Sequence, residues 1–346
     1  MKLKKLLALL LSLCLLLNFT ACDINITIAP ATNTTTTEAI SGDDKDDNDD
    51  TSEPDDSSDN AGESYGITPL LYKVTDDNGN VIWLFGSIHI GKEYFYPLPD
   101  YVMNAYNSSD SLAVEFDVTE EEFDDDTMMD MLYDLAYTDG SNIEAHIPEE
   151  LYNDAKEILE DNDMYFSSLD FYMPYLWSMF IDEFTMEQLD YETDLGIDMF
   201  FLNTAHDGNK TIHSIESMEF QMNMMTGYSH ELQEMMLESS VYYYNNVDEY
   251  SDGLDELAEA WAEGDAEALA DEEEYEFESE EEKALYYEYN TSMMTKRNRG
   301  MTNFAEDKLF EGEEVFIVVG AAHVVGEDGM ANQLRERGYT VEVIQG

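Results

Sequence analysis

Cysteine is almost missing from this chain: Cys14 and Cys22 are the only two, and both fall within the first 22 residues. Once a leader ending before Cys22 is removed and Cys22 is acylated, no thiol and no disulfide remain. Thiolate nucleophiles and cysteine–metal sites are thereby excluded. Cations are scarce too, with 15 Lys and Arg against 79 Asp and Glu and a formal charge of −64. Phosphate contacts need Lys and Arg, so the reading is no nucleic acid partner. Also absent are a Gly-x-Ser-x-Gly elbow, a His-Glu-x-x-His helix, a P-loop, a dinucleotide Gly-x-Gly-x-x-Gly and any calcium-loop spacing.

Residues 1–22 read as a lipoprotein signal peptide. Lys2, Lys4 and Lys5 form a basic start, Leu6 to Leu17 an apolar run, and Phe19-Thr20-Ala21-Cys22 a lipobox with Cys22 as the lipidation site. The alternatives are a plain signal cut after Ala21 or an uncleaved anchor. The expected location is the outer face of the plasma membrane, anchored through lipid on Cys22. Residues 23–64 read as a disordered acidic tether, polar at Asn33–Thr37 and acidic from Asp43 to Asp59. Such a segment buries too little apolar surface to order itself, and its charges repel. A second acidic run, Asp271–Glu282, reads as a solvated face.

Residues 65–346 carry the folded domain. Strands are expected at Leu70–Thr75, Val81–Phe85, Ser111–Val118, Lys210–Ile215, Glu313–Val319 and Tyr339–Ile344. Helices are expected between them, among them Phe171–Glu192, Met218–Val241 and Glu281–Phe310. Two segments echo one another. Val81–Phe85 runs into Gly86-Ser87-Ile88-His89, and Val315–Val319 runs into Gly320-Ala321-Ala322-His323. Adjacent strands would bring both histidines to one sheet edge, which is how a fold joins distant residues in a site. The echo implies an α/β (α+β) fold, a central mixed sheet built from two β-α half-units around a large helical insertion.

Three further residues belong with this pair. Alternation in Ser111–Asp117 sets Leu112, Val114 and Phe116 on one face and Ala113, Glu115 and Asp117 on the other. A buried Glu115 needs a metal, a histidine or an arginine; on an edge strand it would be solvated. Glu216 opens a helix, either as a capping carboxylate or as a third acid in the site. Arg297 either pairs with a site carboxylate, holds a substrate oxyanion or makes a surface salt bridge. His146, His206, His213 and His230 lack a matching motif and read as structural or surface residues.

Leu84–His89, Pro97-Leu98-Pro99, Leu112–Glu115 and the tail Val318–Met330 together resemble the TraB/PrgY/GumN family. Gly196-Ile197-Asp198, Glu216-Ser217 with Gln221, and Arg297-Asn298 with Met301 fall in the same order, and Ser87 stands where threonine is commoner. The resemblance, over about residues 68–344, implies an erythromycin-esterase/ChaN-like fold related to the Tiki metalloproteases. It further implies an active-site core of His89, Glu115 and His323 holding a divalent metal such as manganese or cobalt, supported by Glu216 and Arg297. The expected activity is metal-dependent hydrolysis of a peptide or protein substrate. The alternative is capture of a pheromone-like peptide without turnover, with haem- or small-ester-directed activity a weaker third option.

Overall fold

A computed structural model describes residues 66–119, 125–270, 277 and 279–344. The leader, Cys22, the tether and most of the second acidic run lie outside these residues. The strands are β1 (Leu71–Thr75), β2 (Val81–Ser87), β3 (Ser111–Val114), β4 (Thr211–Ser214), β5 (Val315–Gly320) and β6 (Thr340–Ile344). They form one mixed sheet in the order β4-β3-β5-β2-β1-β6. Strands β2, β5, β3 and β4 run parallel, while β1 is antiparallel to both β2 and β6. Every residue of β3 and β5 is buried, as in a parallel sheet covered on both faces. The hairpin between β1 and β2 closes on Asp76, whose Oδ1 accepts the Asn78 and Asn80 amides at 2.8 Å each.

The helices are α1 (Asp100–Ser108), α2 (Asp125–Asp134), α3 (Glu149–Asp161), α4 (Pro174–Met186), α5 (Ile197–Gly208), α6 (Met218–Thr226), α7 (His230–Tyr244), α8 (Val247–Glu263), α9 (Ala266–Ala270), α10 (Glu280–Asn290), α11 (Arg297–Glu311), α12 (Ala321–Val324) and α13 (Met330–Glu336). Two apolar clusters result. One surrounds the sheet and draws on α1, α5, α8 and α11–α13. The other is helical, with Trp177 and Leu237 among its buried members, and is built from α2–α4, α6, α7 and α10. It is interleaved with the sheet in sequence, because α2–α4 precede β4 and α6, α7 and α10 follow it.

Four expected elements are cut differently. Strand β3 stops at Val114, and beyond it Asp117 donates its amide to Ser214 Oγ at 3.0 Å. The expected helix from Phe171 starts at Pro174, because proline suits the first helical turn and forces its predecessor out of helix. Met218–Val241 breaks at Gly227, and Ser229 caps the second piece by accepting the Leu232 amide at 3.2 Å. The long helix from Glu280 is interrupted by a π-helical turn at Thr291–Lys296.

Candidate functional site

Each of the four parallel strands delivers one or more polar side chains just past its carboxyl end. Strand β2 leads to His89, β3 to Glu115, β4 to Glu216 and β5 to His323. The two echoed segments are neighbours, but staggered by one residue: Gly86 lies opposite Val319, and Ser87 opposite Gly320. A Cβ at Gly86 would sit 2.8 Å from the Ala321 backbone, so only glycine lets α12 cross there. Its carbonyl is held by Trp261 Nε1 at 2.8 Å. A Cβ at Gly320 would meet Glu115 Oε1 at 3.4 Å, His323 Cδ2 at 3.5 Å and His89 Nε2 at 3.7 Å. These three side chains therefore surround one backbone position.

Glu115 is buried and saturated. Arg297 Nη2 donates to its Oε2, Gln221 Nε2 donates to the same oxygen at 3.2 Å, and the Gly320 amide donates to Oε1 at 2.9 Å. Burial works against its charge, but Arg297, then His323 and His89, more than offset that and hold the carboxyl well below the usual range. The solvated-edge alternative fails, because β3 lies between β4 and β5. Arg297 is only 2 % exposed and also donates to Glu216, from Nε to Oε1 at 3.0 Å and from Nη2 to Oε2 at 2.9 Å. It is a buried clamp on two carboxylates, the fork geometry that suits arginine, and not a surface pair. Glu216 is not the helix cap either; Ser217 takes that role by accepting the Phe220 amide at 3.1 Å.

The π-helical turn explains how Arg297 arrives there. Tyr289, Met293, Arg297, Met301, Ala305 and Leu309 are all buried, a spacing of four throughout. In an α-helix a spacing of four drifts by about 40° per step. The wider turn takes that drift back and keeps Arg297 over Met293, with Nη1 3.3 Å from Sδ.

The two histidines are oriented by different partners. Asn298 Nδ2 donates to the Asp328 carbonyl at 3.0 Å, so its Oδ1 faces His323 Nδ1 at 2.6 Å and accepts that proton. The lone pair of His323 is thus on Nε2, 3.9 Å from Glu115 Oε1. Burial, reinforced by Arg297, pushes this imidazole down to about 3, so it is neutral at pH 7. His89 Nδ1 lies 3.2 Å from Asp198 Oδ1, within ion-pair reach but off the angle of a good hydrogen bond. Burial opposes its protonation, yet Asp198 and then Glu115 outweigh burial and hold it above the ordinary value. Asp198 stands in the first turn of α5, which grips this loop through the Ile197 amide on the Ile88 carbonyl at 2.9 Å.

All five candidate residues therefore come together. Asp198, Asn298 and Gln221 join them as contacts; in sequence they carried only the order of motifs, with nothing to say that their side chains point inward. The other four histidines sit elsewhere: His146 on Ser141 and Tyr137, His206 on Asp117, His213 on Glu313 and His230 on Tyr137.

Among the described residues, no three His, Cys, Asp or Glu side chains form a ready metal cage. The donor chemistry nonetheless fits a divalent ion. Two imidazoles, each with Nδ1 turned to an oxygen, converge on a carboxylate, and Glu115, Glu216 and Asp198 outnumber the one guanidinium. A lone pair facing a carboxylate oxygen is a pairing that a cation or a proton relieves.

No curated protein and no solved structure matches this chain. The sequence profile of the TraB/PrgY/gumN family matches residues 70–343, which spans the whole sheet but for the last residue of β6 and every residue of the cluster. The chain belongs to the TraB/PrgY/gumN family.

Proposed function

We propose that this protein is a metal-dependent hydrolase acting on peptides, lipid-anchored through Cys22 at the outer face of the plasma membrane. The observation that carries this reading is the pair of buried imidazoles that meet beside Gly320, one with Nδ1 on Asn298 and the other with Nδ1 near Asp198. His89, Glu115 and His323 would hold manganese or cobalt. The ion would polarise a scissile carbonyl and activate water.

The chain's own groups divide the remaining work. His323 suits a ligand better than a base, because a base works best with its pKa near the operating pH, and this one is far below it. At His89, Asp198 faces Nδ1, which leaves Nε2 as the atom that would meet the ion. Arg297 keeps Glu115 ionised and holds both Glu115 and Glu216 in place, so the site does not reorganise when charge develops.

Purified protein should cleave a mixed peptide library after manganese or cobalt is added to chelator-treated samples. His89→Ala and His323→Ala should each abolish cleavage; undiminished activity in both would overturn the reading. One observation favours capture without turnover: Glu115 accepts three hydrogen bonds and is not free to act as a nucleophile. Recovery of intact ligand after long incubation with metal-loaded protein would select that reading. The lipid anchor is checked by the mass of the N-terminal peptide.

A further inference from the structure

A groove of about 1140 Å³ lies between α6 and the stretch from Ala284 to Phe304, and Glu216 and Arg297 form part of its wall. It is larger than the roughly 300–1,000 Å³ of pockets for small molecules. Its apolar lining includes Phe220, Met224, Tyr287, Met301 and Phe304. Phe220 and Tyr287 are 46 % and 54 % exposed and share one apolar lining, as at ligand-binding grooves. Methionine and aromatic rings adapt to varied apolar side chains.

Two further features concern what the groove holds. Gly300 lines it from inside α11, where glycine destabilises a helix relative to alanine. Packing does not require glycine there, since a Cβ would meet nothing within 4 Å. Its absence keeps the groove open. The second feature is charge. Lys296, Arg297 and Arg299 cluster in a chain with only 15 Lys and Arg. Arg297 is taken up by Glu115 and Glu216, and Glu288 in the lining accepts the Ser229 amide at 2.6 Å and its hydroxyl at 2.7 Å. Lys296 is the remaining cation of the lining, and it is exposed.

We infer that this groove is the specificity subsite for an extended peptide with aromatic, Leu or Met side chains and a carboxylate that sits at Lys296. The inference rests on the peptide reading of the neighbouring site. Phe220 and Tyr287 flank the apolar side chains, Gly300 leaves room for them, and Arg297 links the groove to Glu115. The carboxylate comes from the peptide's C-terminus or from an acidic side chain.

The test is fluorescence anisotropy on the full chain carrying His89→Ala and His323→Ala, which prevents turnover. The probe is an N-terminally labelled hexapeptide of Leu, Phe and Met with a free C-terminus, beside a counterpart of Ser and Gln. The apolar probe should bind, and adding Gly300→Phe or Tyr287→Ser should weaken it by at least about tenfold. Amidating the probe should weaken it several-fold, and no further in Lys296→Ala. If an amidated probe with an internal Glu recovers the loss, the carboxylate is a side chain; if only the free terminus does, it is terminal. Undiminished binding to the Gly300→Phe protein, or equal binding of the Ser and Gln peptide, would overturn the inference. Groove-dependent binding with no cleavage by the metal-loaded wild type would overturn the hydrolase reading alone. Cleavage by a Gly300→Phe protein with unchanged KM would overturn the groove alone.

Discussion

The two glycine–histidine turns are near copies in sequence and opposites in charge. His89 faces Asp198 and holds its proton more tightly than a free imidazole; His323 faces Asn298 and Arg297 and gives its proton up. The strand ends make the turns alike, and α5 and α11 make them different. A repeated motif can thus fix where two side chains emerge while helices from elsewhere in the chain decide what each is able to do.

Removing Arg297, which disfavours a proton on both histidines, should have the largest cost. Arg297→Met leaves Glu115 and Glu216 buried without their cation and should destabilise the fold by about 3–5 kcal/mol, read from urea unfolding. Next comes acid sensitivity in metal-free protein. Below its ordinary 6.5, His323 binds a proton in the unfolded chain but not in the fold until about pH 3. Its contribution to stability is therefore present above 6.5 and is lost as pH falls through that window. Comparing His323→Asn with wild type cancels the repulsion among the other acidic groups. The variant should lack up to a few kcal/mol of the loss between pH 6.5 and 3, checked by unfolding across that range. His89 has the opposite sign: its contribution is present below 6.5 and fades as pH rises through its raised value.

Asp198→Asn should bring the two histidines together instead, since burial then dominates at His89 and its pKa should drop below the ordinary value. Proton NMR of the ring hydrogens reads this directly. The smallest effect is expected from Ser87→Ala, which makes the first turn resemble Gly320-Ala321 in the second. The Ser87 hydroxyl is buried with no hydrogen-bond partner, so its loss should change stability by no more than about 1 kcal/mol. Thermal melting is sufficient to test it.

The same division accounts for what could be read before the structure. Every described strand overlaps one expected from sequence, and β2 and β5 stood out as apolar runs bounded by turns, because β structure in a covered sheet leaves that mark. The meeting of His89 and His323 was expected if their strands were neighbours, Glu115 kept a solvated alternative, and the family resemblance named the three together. The staggered register was not expected, because it depends on Gly86 yielding to Ala321. Nor could sequence separate Ser217 from Glu216 as the cap of α6, since both are good residues near a helix start. The π-helical turn was hidden as well. Its residues have ordinary helical character, and only the four-residue spacing of Tyr289, Met293, Arg297 and Met301 betrays it.

The place of β5 has a consequence for how this protein is made. It lies between β2 and β3, yet it is the fifth of the six described strands to leave the ribosome. Until Val315–Gly320 is available, β2 and β3 have no shared partner, and each offers a bare apolar edge to other chains. Such a sheet closes late and slowly, because its central pairings span most of the sequence. A chain shortened before Val315 would lose the seam of the sheet along with His323, and its aggregation should be the first sign of the loss.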